Sequence, residues 1–498
     1  MTETSNHYNQ ICETLQIQAI PTSNPLLDFL SPTLMADKSR EERLSASLQV
    51  LLDCVLEESN TETSISHTRV DAYIAKIDIL IQSQLDQILH HPEFQALESR
   101  WRGLHYLMKS LDLTANTKLE VLDISQTDLQ NNFTAAETPD KSFLYKQLYT
   151  QEYDMPGGEP ISVMIGDYTF ESSAQDIQLL RNISSISAAA HCPFIASVGP
   201  PFFGKKNFDE VSRIEDLENY MDRAEFIRWR SFRDTEDSRY IGLTLPKFIL
   251  RHVYGSENPA TGFIYEESIH QCPGDTGYLW GNASLAFAAN MARSFKSYGW
   301  MLNVRGSDSG GRVENLPLHQ FDTGFGLQTN IPTQVLIPET RELSLASQGL
   351  IPLSYYKNTD YACFFSANAC HKPPLYSTPE ATANSRINAR LPYLFLSTRI
   401  GHYLKVIQRE NIGSAKSPHT LEDELNTWLR TLVTKMNNPS QELLATHPLK
   451  EGYVAVHEIE DNPGFYRVEL YAVPHFQVEG VDIKLSLVGQ MPRENKDQ

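Results

Sequence analysis

The chain has little of what marks a secreted, membrane-embedded or redox protein. Its six cysteines (Cys12, Cys54, Cys192, Cys272, Cys363 and Cys370) are scattered through 498 residues with no Cys-x-x-Cys pair. Such sparse usage excludes a disulfide framework and fits buried thiols in a reducing compartment. No run approaches the roughly 20 apolar residues needed to cross a bilayer, so direct membrane insertion is not expected. The opening MTETSNHYNQ lacks the basic and then apolar segments of a secretory signal, and a cytoplasmic chain is expected. Bases are outnumbered, 42 Lys and Arg against 62 Asp and Glu, giving a formal charge of −20. That balance argues against nucleic acid as a partner, because phosphates need clustered Lys and Arg. It also predicts self-repulsion, so any self-assembly must rest on local basic patches meeting acidic ones.

Signatures of catalysis are scarce too. No Gly-x-Gly-x-x-Gly follows the early strand candidates and no Gly-x4-Gly-Lys-Ser/Thr occurs, so both common phosphate cradles are missing. The fifteen histidines include His90-His91 but no His-Glu-x-x-His, and that pair reads as one helix ending before the next. Gly306-Ser-Asp-Ser-Gly310 follows a strand candidate and has the look of a nucleophile elbow presenting Asp308. An elbow needs a helix directly afterwards, and Arg312-Val-Glu-Asn-Leu-Pro317 has no helical stripe, so a glycine-rich loop is expected. Cys363, Cys370 and His371 supply too few ligands for a metal site. No cofactor, metal or enzymatic activity is expected.

What the chain does have is pattern. Val70, Ile74, Ile77, Ile81, Leu85 and Ile88 recur at three- and four-residue steps and predict a helix with one apolar stripe. Pro92 sits where the first turn of a second helix tolerates it, followed by Phe94, Leu97, Trp101, Leu104, Met108 and Leu111. Both helices are expected to bury a face. Upstream lies an acidic arm with two apolar patches. One holds Leu26, Leu27, Phe29 and Leu30 among prolines; the other is the helical run Leu44, Leu48, Leu51, Leu52, Val55 and Leu56.

Beyond the paired helices a strand is expected at 118–124. From about residue 160 strands (161–165, 193–198, 240–245, 300–304) alternate with helices (174–190, 217–232, 279–298). This alternation predicts an α/β fold of mixed, mostly parallel sheets flanked by helices. The last third reads as a long helix over 382–410, kinked at Pro392, a helix over 421–436, and strands at 453–460, 465–473 and 481–488. In the final strand Val481, Ile483, Leu485 and Leu487 alternate strictly with polar residues. The expected division is an N-terminal helical arm (1–65), an α/β body (66–380) and a C-terminal part of long helices and strands (381–498). One segment remains: Arg228, Arg230 and Arg233 surround Trp229 and Phe232, and Asp234, Glu236 and Asp237 follow. Neighbouring acids and the overall charge favour salt bridges, within the chain or between subunits, over nucleic-acid binding.

The wording HHPEFQALESRWRGLHYL closely resembles a signature of the large subunit of the type VI secretion contractile sheath (the TssC or VipB family). Further blocks resemble the same family in the same order: GDYTFESSAQDIQLLRNISSISAAAHCPFIASVGPPFFG (166–204), WRSFRDTEDSRYIGLTLPKFILR (229–251), YLWGNASLAFA (278–288) and YGWMLNVRGSDSGGRVENLPLHQF (298–321). IPLSYYKNTDYACFF (351–365), ATANSRINARLPYLFLSTRIGHYLKV (381–406) and VPHFQVEGVDIKLSLVGQMP (473–492) continue the series. The resemblance implies an obligate complex with a small sheath subunit (TssB or VipA). It implies polymerisation with other copies around an inner tube of Hcp rings on a baseplate, and contraction that drives the tube outward. It further implies strand exchange between neighbours, for which Val481, Ile483, Leu485 and Leu487 are the candidates. The resemblance implies that the arm either is recognised by an AAA+ unfoldase (ClpV), with Leu26, Leu27, Phe29 and Leu30 as candidate anchors, or packs on the small subunit. Two other readings stand beside it: an α/β hydrolase or nucleotide enzyme, and a related phage-tail-like contractile device.

Overall fold

The computed structural model describes Glu13 and residues 39–57, 67–112, 116–155, 157–255, 258–261, 263–269, 277–322, 326–410, 417–436, 439–458 and 466–475. The chain divides into two compact units: Met1–Gln95 with Val253–Gly277, and Ala96–His252 with Tyr278–Gln498.

The smaller unit is built on α1 (Arg40–Glu57) and α2 (His67–Leu89), which pack together. A capping box starts α1: the Glu42 amide donates to Ser39 Oγ while the Ser39 amide donates to the Glu42 carboxylate. The 253–277 segment is tied to the far end of α2. The Tyr265 hydroxyl donates to Asp86 at 2.6 Å, and His90 Nε2 lies 3.2 Å from the buried Glu267 carboxylate.

The larger unit holds α3 from Ala96 onward (the helix runs Pro92–Ser110) and a six-stranded sheet in the order β1-β2-β3-β9-β10-β6. The strands are β1 (Met164–Phe170), β2 (Phe194–Val198), β3 (Ile241–Leu245), β6 (Arg312–Val313), β9 (Ile351–Tyr355) and β10 (Ala362–Phe364). Pairings from β1 to β9 are parallel, whereas β9–β10 and β10–β6 are antiparallel. The expected mixed, mostly parallel α/β sheet is therefore present. Two small antiparallel ladders join β4 (Phe248–Ile249) to β5 (Trp280–Gly281) and β7 (His319–Asp322) to β8 (Leu327–Asn330).

Successive side chains of β2 enter different cores, as a strand buried on both faces requires. Phe194, Ala196 and Val198 join one cluster with α5 (Ala174–Ala190) and α6 (Ile227–Arg233); Ile195 joins another with α7 (Ala283–Tyr298). A third core forms around α10 (Leu391–Glu410), α11 (Pro418–Arg430) and the hairpin β11–β12 (Leu449–Glu458 and Tyr466–Pro474). The first turn of α10 contributes Leu391, Leu394 and Phe395 to the second core, and its later turns contribute Leu396, Ile400 and Leu404 to the third. The same helix grips a π-helix, Lys146–Asp154. Lys405 Nζ lies 4.5 Å from the Tyr153 ring centre, and Arg409 donates to the carbonyls of Glu152 and Gly158.

Several expected elements differ. Residues 118–124 form no strand, and among the described residues none of them is hydrogen bonded to another backbone group. Residues 300–304 form none either: Ser294 Oγ donates to the Trp300 carbonyl and accepts from the Asn303 amide, replacing a ladder. The first sheet strand runs Met164–Phe170, three residues later than expected, with Ile161 packed beside the core. The 217–232 helix is broken into Leu217–Met221, a 3-10 turn at Ala224–Phe226, and α6, since Arg223 leaves the helical region. The 279–298 helix begins only at Ala283 because Trp280–Gly281 pairs as β5. The long 382–410 helix is two, α9 (Pro379–Asn388) and α10, with Pro392 in the first turn of α10, where its missing amide costs nothing. Helix α11 ends at Arg430 because Thr434 turns to donate to the Leu449 carbonyl. Strand β9 was not expected at all. The 481–488 strand lies outside the described residues.

Candidate assembly surfaces

The positions that resemble catalytic centres are structural. The Gly306 amide donates to the Phe364 carbonyl and the Phe364 amide to Gly311, so the glycine-rich loop is stitched to β10. Gly310 has φ +89, and a Cβ there would collide with the Asn303 carbonyl, which is why the turn needs glycine. Asp308 pairs with Arg312 at 3.0 Å. Cys363 is fully buried on β10, and burial pushes its thiol up to about 12. Burial raises the Cys370 thiol as well, while the buried His371 takes its place beside the Thr235 carbonyl at 3.0 Å. Such thiols are poor nucleophiles. Among the described residues no group of three His, Cys, Asp or Glu side chains is arranged to hold a metal.

The arginine-rich segment separates into an internal clamp and a surface. Arg233 is buried and points inward from the end of α6: Nε donates to the Cys370 carbonyl at 3.0 Å, Nη1 to Gln348 at 2.9 Å and Nη2 to the Ser347 carbonyl at 2.8 Å. Burial lowers its pKa, and these three acceptors satisfy the guanidinium without a carboxylate. Trp229 and Phe232 are buried beside it. Arg230 faces outward and pairs with Asp222 at 3.3 Å; Glu236 pairs loosely with Arg239 at 3.8 Å. Arg228 and Asp234 are exposed and Asp237 is half-buried. Thus the six residues do not form one cluster.

The largest unpartnered features are apolar. On α2, in the smaller unit, Ile74, Ile77, Ile81 and Ile88 are 40–50% exposed, and Ile79 and Leu80 are more so. Four of the six residues of the stripe expected to be buried are therefore exposed, while Val70 and Leu85 are half-buried. Off-stripe Ile79 and Leu80 make the helix apolar on more than one side, the signal that several faces are to be covered. On α3, Phe94 belongs to the smaller unit, and Leu97, Trp101 and Met108 to the larger; all are exposed, Trp101 at 67%. The opposite side of α3 is held: Leu107 packs with Leu285 and Ala288, and Glu98 accepts from Arg251 at 3.0 Å and Arg102 at 2.6 Å. Leu26, Leu27, Phe29 and Leu30, and Val481, Ile483, Leu485 and Leu487, lie outside the described residues. Among the described residues no helix is long and apolar enough to cross a membrane.

Comparison with known proteins gives these surfaces a context. Residues 71–371 match the family described as EvpB/VC_A0108, tail sheath N-terminal domain, and residues 380–491 its tail sheath gpW/gp25-like domain. The chain is 39% identical over 484 residues to the type VI secretion system sheath protein TssC1 of Pseudomonas aeruginosa, covering 95% of this chain and 97% of that one. Among solved structures, a cryo-EM anti-feeding prophage baseplate gives a TM-score of 0.37 at 9% identity, over 75% of this chain and 83% of that one. The contracted anti-feeding prophage sheath gives 0.34 at 10%, over 70% and 76%. Those two scores are too low to bear on the fold. With both domains matched in order and nearly the whole length aligned to a sheath protein, the chain belongs to the VipB tail sheath family.

Proposed function

We infer that this chain is the large subunit of a type VI secretion contractile sheath, which polymerises with a small companion subunit around an inner tube and contracts to propel it. Family membership supports the reading, and the uncovered apolar faces of α2 and α3 are the observation in the molecule that carries it. Exposed apolar area on this scale is a liability for a monomer and an asset for a subunit. The role is mechanical and non-enzymatic, exercised in the cytoplasm. Its free energy is then held in alternative contacts between subunits. The inner tube protein Hcp, the baseplate and the unfoldase ClpV complete the set of partners.

Within this reading, the arm (1–65) contacts companion or unfoldase through Leu26, Leu27, Phe29 and Leu30, the body (66–380) forms the wall, and 381–498 links neighbours. The link is strand donation by Val481, Ile483, Leu485 and Leu487. The β11–β12 sheet fits such a receiver at β12: α11 occupies the β11 edge, where the Val454 amide donates to Asn426 and the Val456 amide to the Glu422 carboxylate, whereas β12 has no second ladder partner among the described residues. Arg228, Arg230, Asp234, Glu236 and Asp237 are proposed as a charged contact between subunits, with Arg233 holding their scaffold. Co-expression with the small sheath subunit followed by negative-stain microscopy tests the whole: tubular polymers are expected, and a lone monomer overturns it. Ile483→Asp with Leu485→Asp should abolish tubes while sparing the heterodimer.

A further inference from the structure

The first and third cores are joined across α10 by rings and charges. The Ala190 carbonyl, at the end of α5, accepts from the Tyr153 hydroxyl of the π-helix at 2.8 Å and from His402 Nε2 of α10 at 3.2 Å. The Tyr153 and His402 ring centres stand 6.0 Å apart. His191 follows directly, in the left-handed turn (φ 49) that ends α5, with Nδ1 3.4 Å from the Tyr240 hydroxyl. A Cβ on Gly401 would lie 3.9 Å from the His191 ring, so the two histidines are neighbours. His402 is 2% exposed. Because its acceptor is a carbonyl, Nε2 carries the proton, and Nδ1 is buried with no hydrogen-bond partner among the described residues. A second proton would find no acceptor there.

The charges that act on the pair are positive: Arg399 and Lys405 from α10, Arg239 from the 3-10 turn Glu236–Tyr240, and His191 on His402. The carboxylates of the same elements, Glu152 on the π-helix and Asp237 on the 3-10 turn, act on Tyr153 and Tyr240 instead. The remaining titrating side chains at the joint, Cys192, Tyr149, Tyr153 and Tyr240, are a thiol and phenols, which bring no negative charge at or below neutral pH. We propose that this joint is an acid-released latch: a proton taken up from solvent by His402 or His191 frees the π-helix and the end of α5 from α10, while the sheet stays folded. A buried imidazolium among cations is stable only once the ring reaches water. The π-helix, a form rarely sustained on its own, then loses what it leans on. Helix α10 stays wedged in the second core through Leu391, Leu394 and Phe395, so release loosens the C-terminal part without detaching it.

Hydrogen exchange on the full-length chain at pH 7.5 and 5.5, corrected for the unprotected rates, tests it. Protection of 146–154 and 399–409 should fall at pH 5.5 by about tenfold for each histidine that takes up a proton, the ratio set by about 6.5 in the open joint and about 4 in the closed one. Protection of α7 should not change. His402→Gln keeps an amide that can donate to the Ala190 carbonyl, and His191→Asn tolerates the left-handed turn. Each single variant should remove about one tenfold step of the loss, and the double variant should hold its pH 7.5 protection at pH 5.5. Equal protection of the wild-type segments at both pH values overturns the proposal, as does an equal loss in α7, which means global acid unfolding. Single variants that open in acid like the wild type overturn it too, since another group then takes the proton.

Discussion

Helices α5 and α2 carry the same kind of stripe and meet opposite fates. In α5, Ile177, Leu180, Ile183 and Ile186 are buried against the sheet, and Ser173 caps the helix by accepting from the Asp176 amide. In α2, Ile74, Ile77, Ile81 and Ile88 recur with equal regularity and stay largely uncovered. Periodicity thus identifies a face that must be covered, not the chain that covers it. The body buries its stripes within one polypeptide, whereas the exposed side of α2 is, on the proposed reading, left for a partner.

This contrast can be broken at several points. Phe287 is fully buried and meets Phe364 edge-on at 5.2 Å, so Phe287→Ala should cost about 3–5 kcal/mol in urea unfolding; a change under 1 kcal/mol would mean that the body too awaits a partner. Arg233→Met leaves the Cys370 and Ser347 carbonyls without their donor and should cost about 3 kcal/mol, whereas Arg230→Met at the surface pair should cost under about 0.5 kcal/mol. Burial of His402, helped by nearby Arg399, His191 and Lys405, lowers its pKa to about 4. The unfolded chain takes up that proton as pH falls through about 6.5 while the folded chain refuses it until about 4. Stability is therefore full above the unfolded value and falls between the two, by on the order of 2 kcal/mol. Burial lowers the nearby His191 to about 4 as well, so His402→Asn should remove only about half of the fall in a thermal-melt profile over that range. The smallest expected effect sharpens the contrast most: Ile79→Ser with Leu80→Ser, the most exposed apolar residues of α2, should shift the stability of the isolated chain by no more than about 0.5 kcal/mol, yet abolish co-purification with the small subunit. Retained co-purification would show that α2 is not an assembly face.

Much of the body is legible in sequence because its rules are local. Helix α5 spans the expected 174–190, and β2 and β3 lie within one residue of the expected runs. Failures occur where something non-local decides. Alternation in 300–304 is real, but Ser294 takes up the backbone groups. Strand β9 contains Pro352, which conceals a buried run, yet it is where the sheet turns from parallel to antiparallel. The arginine-rich segment shows composition without direction; that Arg233 turns inward depends on Gln348 and Cys370, more than a hundred residues away. Assembly residues are the least legible, since half of their surroundings belong to other chains.

Helix α10 has its opening turn wedged in the sheet core and its remaining turns in the C-terminal core. A pull applied to the β11–β12 hairpin thus reaches the sheet through a stiff rod anchored at both ends, with no slack tether between. On the proposed sheath reading, force from a neighbour that arrives at the hairpin is passed to the sheet without stretching a joint.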